Sequence, residues 1–102
     1  MPDSSPVEPE DVARVLRAER ARIAAFGVAS LSLFGSTARG DAGPDSDVDV
    51  LVRFDGDATF DAFMDLKLFL EDLLGRQVDL VTEAALRPEL RQSVERDLMR
   101  VA

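Results

Sequence analysis

Apolar and polar positions along this chain change their period several times, and each change predicts an element. From Val28 to Phe34, Ala29, Leu31 and Leu33 alternate with Ser30 and Ser32, a period of two that predicts a strand. From Asp47 to Phe54, Val48, Val50, Val52 and Phe54 face a core while Asp47, Asp49, Leu51 and Arg53 face the other way, which predicts a second strand. Gln77 to Val81 predicts a third, with Val78 and Leu80 on one face and Asp79 on the other. Between the second and third, Phe60, Phe63, Leu66, Leu70, Leu73 and Leu74 recur at helical spacing, opened by Thr59 as N-cap and stopped at Gly75. Met64 and Phe69 lie off the centre of that stripe, as scattered surface apolar residues or, alternatively, as a contact surface.

The flanks read as helical. Pro9 suits a first helical position, Glu10 and Asp11 suit the positive end of the helix dipole, and Val12, Val15, Leu16, Ile23 and Phe26 continue the period up to Gly27. Arg14, Arg17, Arg20 and Arg22 read as a solvated face paired with Glu10 and Glu19 rather than as a surface for a partner or phosphate. Thr82 to Ala85 predicts a short helical turn broken by Pro88. After it, Leu90, Val94, Leu98 and Val101 predict a last amphipathic helix with Arg91, Glu95 and Arg96 on its wet side. Residues 1–7, with Pro2, Ser4, Ser5 and Pro6, are expected to form a frayed lead, leaving 8–102 as the domain. The order helix, strand, short helix, strand, helix, strand, helix predicts a single small α/β (α+β) domain with helices packed on a sheet. Strand order is not legible from such a pattern.

Composition narrows the chemistry. A chain of 102 residues supports one modest core and leaves no room for a second, substrate-binding domain. No apolar run approaches a membrane span and the N-terminus is polar and acidic, so a cytoplasmic location with no membrane contact is expected. There is no cysteine and no histidine, so any metal must be held by oxygen and any proton must be taken by a carboxylate. With 20 acidic against 12 basic residues the formal charge is -8, which argues against direct nucleic-acid binding and suits a basic partner better.

One stretch, FGSTARGDAGPDSDVDV from Phe34 to Val50, concentrates that chemistry. Gly35 and Ser36 form a small-residue turn feeding a short helix, where unpaired backbone N–H groups favour phosphate oxygens. Asp47 and Asp49 stand at i and i+2 on a strand and project side by side. Such a pair repels unless a cation lies between, and Mg2+ takes oxygen ligands together with substrate phosphates. The bland alternative is an edge strand whose solvated aspartates discourage aggregation, but that device has no need of a Gly-Ser turn at this distance. Asp79, on the same side of its strand, is the natural third carboxylate; otherwise it pairs with Arg76 or Arg53 at the sheet edge. Arg39 either reaches a triphosphate or closes the loop on Asp41 or Asp45.

Gly35-Ser36, Ala38-Arg39-Gly40, Ser46 and Asp47-Val48-Asp49 together resemble the signature of the polymerase-beta-type nucleotidyltransferase superfamily. GSTARG followed by SDVDVLV most resembles the minimal nucleotidyltransferases, the MNT antitoxins encoded beside HEPN-domain toxins, and LLGRQVDLVTEAALRPELRQSVERD is similar to that family's ending. The resemblance implies a mixed sheet of the nucleotidyltransferase type, with the three aspartates at one open side. It implies two Mg2+ ions held by Asp47 and Asp49, one arriving with ATP and one shared with Asp79 and the attacking hydroxyl. It also implies phosphate contacts from Gly35, Ser36 and Arg39, with Asp79 accepting the proton. The activity implied is transfer of AMP from ATP to a tyrosine of a partner HEPN toxin, within a hetero-oligomer. This chain holds no tyrosine, so the acceptor must come from elsewhere. Two other readings stay open: an antitoxin that acts by occlusion alone, and the catalytic subunit of a small-molecule nucleotidyltransferase completed by a helical partner.

Overall fold

The two long alternating runs pair with each other and form the centre of the sheet. The computed structural model describes residues 8–41, 43, 46–56 and 59–102, so the expected lead at 1–7 and the loop residues Asp45 and Asp57 lie outside the described residues. Strands β1 (Val28–Leu33) and β2 (Val48–Phe54) run antiparallel, with Leu31 opposite Val52 and Leu33 opposite Val50. Strand β3 (Val78–Thr82) pairs parallel to β2, with Asp49 opposite Asp79 and Val50 opposite Leu80. A parallel pair needs a long crossover. Here it is the helix Phe60–Leu74. A two-residue strand β4 (Met99–Arg100) closes the other edge against β1, and the order is β3-β2-β1-β4, a mixed sheet.

Helices α1 (Pro9–Ala18), α2 (Arg20–Ala24), α3 (Gly35–Arg39), α4 (Phe60–Leu74) and α5 (Pro88–Arg96) complete the domain, with a 3-10 turn at Glu83–Ala85. Val12 and Leu16 of α1, Leu66 and Leu70 of α4, and Leu31, Leu33, Val50 and Val52 of the sheet are fully buried together. Burying each such side chain contributes about 1.5–3 kcal/mol, so this cluster is the main source of stability. Local signals act as expected at α4: the Thr59 hydroxyl accepts from Ala62 N–H at 3.0 Å, and Gly75 ends the helix at φ 67°. No helix among the described residues is long and apolar enough to cross a membrane.

The structure corrects three expectations. The first helix is broken at Glu19, whose N–H bonds to Leu16 three residues back at 3.1 Å before the turns resume with Ile23 N–H on Glu19. No glycine or proline between residues 10 and 26 marks this break. The last helix stops at Arg96 rather than running to Val101. Val101 is buried, but beyond the helix and beyond β4, with its N–H donating to the Leu31 carbonyl at 2.9 Å. Pairing with the open edge of β1 satisfies backbone groups that a longer helix would have left unmet. Phe60, placed in the core stripe by its spacing, is 75% exposed, because it stands at the first turn of α4 beyond the edge of the packed face.

Other assignments hold in part. Phe69 is half-buried against Phe26 at the margin of the core, with ring centroids 5.2 Å apart. The arginine face of the first helices is solvated as expected, with Arg22 paired to Glu19 at 3.2 Å, but Arg14 pairs with Asp11 at 3.0 Å, where pairing with Glu10 was expected.

Candidate active site

At the end of β1 the chain turns directly into α3, and Gly35 makes that turn possible twice over. Its φ of +58° lies in the left-handed region, and a Cβ there would come 2.8 Å from Asp49 Oδ2. Ser36 follows and donates its hydroxyl to the same Asp49 oxygen at 3.3 Å. Thr37, 1% exposed, accepts the backbone N–H of Asp49 on its Oγ1 at 2.9 Å. Phe34 N–H donates to Asp49 C=O at 3.2 Å. The turn and β2 are therefore tied together at Asp49. Gly40, at φ 79°, then ends α3.

The carboxylates differ in setting. Asp47 sits just before β2 and is exposed, as is Asp79 on the edge strand, whereas Asp49 is half-buried between them. Burial, then the Asp79 charge, then the Asp47 charge push the Asp49 carboxyl above its ordinary pKa. Hydrogen bonds from the Ser36 hydroxyl and the Thr37 backbone oppose that rise without cancelling it. Asp49 stands directly opposite Asp79 across the β2/β3 pair, and Asp47, just before β2, is near enough for its charge to act on Asp49. As the side chains stand, no three acidic groups among the described residues converge closely enough to hold an ion. Repelling carboxylates with two exposed members adopt such a spread, and those two are the ones with room to turn inward. The donor set suits Mg2+: hard oxygen only, with a half-buried charge that has no lysine or arginine partner among the described residues and a glycine that keeps the space beside it clear.

Arg39 takes the local course and a distant one. It bonds to Asp41 at 3.1 Å and to Asp97 at the end of α5 at 2.9 Å. Arg76 donates to the carbonyls of Gly43 and Ser46, both at 2.6 Å, and so pins the loop that delivers Asp47. Neither the Asp97 tie nor the Thr37 contact was anticipated from the chain. For Thr37 a signal existed, since a β-branched hydroxyl residue in the middle of a five-residue helix is a poor helix former and needs another reason to be there.

A Gly-Ser turn beside aspartates on a four-stranded mixed sheet is the arrangement this site presents. Residues 14–100 match the family described as the nucleotidyltransferase domain, and the chain belongs to that family. It is 38% identical over 93 residues to the protein adenylyltransferase MntA of Thermococcus cleftensis, covering 90% of this chain and 94% of that one. A solved structure described as a minimal nucleotidyltransferase superposes with a TM-score of 0.81 at 40% identity, over 94% of this chain and 98% of that one. The MNT antitoxin solved in complex with the tri-AMPylated HEPN toxin of Shewanella oneidensis shares the fold at a TM-score of 0.64. Its identity is 19%, with 88% of this chain and 71% of that one covered.

Proposed function

We propose that this protein is an antitoxin that transfers AMP from ATP to a tyrosine hydroxyl of a partner HEPN-domain toxin in the cytoplasm. The observation that carries the reading is Asp49, a half-buried carboxylate with no lysine or arginine partner among the described residues, bonded to the Gly35–Ser36 turn and opposite Asp79. Support also comes from a relative named as a protein adenylyltransferase and from fold neighbours solved as toxin–antitoxin complexes, one of them with AMP-PNP.

Asp47, Asp49 and Asp79 would hold Mg2+. When bound, Mg2+ neutralises charge on the phosphates and lowers the pKa of the attacking hydroxyl. Gly35 and Ser36 anchor the terminal phosphates, which leaves the α-phosphorus open to the acceptor. The acceptor oxygen bonds to the α-phosphorus as the bond to the bridging oxygen of the β-phosphate breaks and pyrophosphate leaves. With no histidine in the chain, the hydroxyl proton passes to Asp79, directly or through water. Arg39 must exchange one of its present carboxylates for phosphate if it joins.

The test is transfer of label from α-labelled ATP to the toxin encoded beside this chain. Label on the toxin, lost in an Asp47→Asn and Asp49→Asn double variant, is expected. No transfer by the wild type, or equal transfer by the double variant, would end the proposal. A double variant that still neutralises the toxin in a growth assay would favour occlusion instead.

A further inference from the structure

We propose that Thr37 is a positioning residue of the transfer reaction, its buried hydroxyl holding the Asp49 backbone at a fixed place against the Gly35–Ser36 turn. The chemistry rests on the nucleotidyltransferase reading above; the placement rests on geometry. In an antiparallel pair the N–H and C=O of one strand residue point toward the same neighbour. Asp49 C=O accepts from Phe34 N–H, so its N–H points to the same side, where β1 has already ended at Leu33 and given way to α3. A ladder partner is missing there, and a buried N–H without one is costly. Thr37 Oγ1 replaces it at 2.9 Å.

The Thr37 hydroxyl accepts from the Asp49 backbone. Ser36 adds a bond to Oδ2 and Phe34 a bond to the carbonyl, so Asp49 is gripped at both its backbone and its side chain by one turn of chain. A five-residue helix has almost no stability of its own. Its position over β2 therefore depends on these contacts, and with it the spacing between the phosphate-facing turn and the carboxylate. A misplacement of about 1 Å can cost about 100-fold in rate. Losing the partner that orients a metal ligand costs about 10–100-fold in metal affinity or activity.

Thr37→Val keeps the shape and removes the acceptor, whereas Thr37→Ser keeps the acceptor. Both are made in the full chain and read three ways: Mn2+ affinity by electron paramagnetic resonance without nucleotide, thermal midpoint, and kcat and KM for AMP transfer. The valine variant is expected to lose about 10-fold in Mn2+ affinity and about 10–100-fold in kcat, with the KM for ATP within about 3-fold. The serine variant is expected to stay within about 3-fold of wild type throughout. Wild-type Mn2+ affinity and kcat in the valine variant, whatever its thermal midpoint, overturn the inference. So does a serine variant that loses about 10-fold or more, and that comparison decides the matter if the valine variant does not fold. A wild type that binds Mn2+ but transfers no AMP overturns the proposed reaction alone and leaves Mn2+ affinity to judge Thr37. One that binds no Mn2+ overturns both.

Discussion

Two partly buried carboxylates sit near the β2/β3 pair and are treated in opposite ways. Glu71 of α4 accepts from Lys67 Nζ at 2.8 Å and from the Val78 N–H at 3.0 Å, and these bonds hold its carboxyl below its ordinary pKa. Asp49 has a hydroxyl donor but no lysine or arginine partner among the described residues, and burial together with two like charges puts its carboxyl above its ordinary pKa. One carboxylate stabilises the fold by joining α4 to β3. The other is burdened by burial and by two like charges, which a proton or a bound cation relieves.

The largest effect that would break this contrast is on catalysis. Asp49→Asn should lower AMP transfer by at least about 100–1,000-fold, in line with losing a principal charge-stabilising group. In metal-free protein the same change should raise the melting midpoint by a few degrees, because it removes a like charge from between two others. Added Mg2+ should stabilise the wild type, by about 2.7 kcal/mol at 100 times its dissociation constant, and leave the variant unmoved. Calorimetry with and without Mg2+ checks both; a metal-free variant less stable than wild type would show that Asp49 is structural after all.

Glu71→Ala should do the reverse. Loss of the Val78 acceptor and the Lys67 partner costs about 1–2 kcal/mol, and each kcal/mol shifts the midpoint by about 4–8 °C in a domain of this size. Activity measured well below that midpoint should stay near wild type. Acid separates the two residues by sign. The folded pKa of Glu71 is lowered, so its stabilisation is present above its ordinary 4.5 and is lost as pH falls through the folded value; the alanine deficit shrinks in acid. The folded pKa of Asp49 is raised, so its destabilisation is present above that value and is gone below its ordinary 3.8; the asparagine advantage shrinks in acid. Midpoints of the three metal-free proteins from pH 7 to pH 3 should converge from opposite sides.

The Asp49 side of this comparison was legible in the chain and the Glu71 side was not. Strand alternation alone puts Asp49 and Asp79 on one side, since a period of two leaves no other choice once Val48, Val50, Val78 and Leu80 are buried, while Asp47 lies just before β2. Gly35 was legible because only glycine suits both its φ and its closeness to Asp49. Glu71 sits seven residues before Val78 and meets it only after the chain reverses at Gly75, a relation that no local pattern encodes. The C-terminal region failed for a similar reason. Leu90, Val94, Leu98 and Val101 keep a helical period, yet the free edge of β1 competes for the backbone and takes Met99 to Ala102. Strand order likewise depends on which edges meet, which periodicity does not record.

The smallest expected effect concerns the ion pair that crosses from α3 to the end of α5. Arg39 and Asp97 are 2.9 Å apart, but the arginine side chain is 47% exposed, so water and salt screen the attraction. Asp97→Asn should therefore change the thermal midpoint only slightly, with the difference vanishing at high salt. The change in nucleotide binding is more telling, since the guanidinium is held by Asp97 and Asp41 and phosphate must displace a carboxylate to reach it. If Arg39 serves the triphosphate, Asp97→Asn tightens ATP binding by about 2–5-fold, the scale of one exposed ion pair. If Arg39 only closes its loop, calorimetric titration with ATP returns the wild-type affinity, and an Arg39→Gln variant does the same.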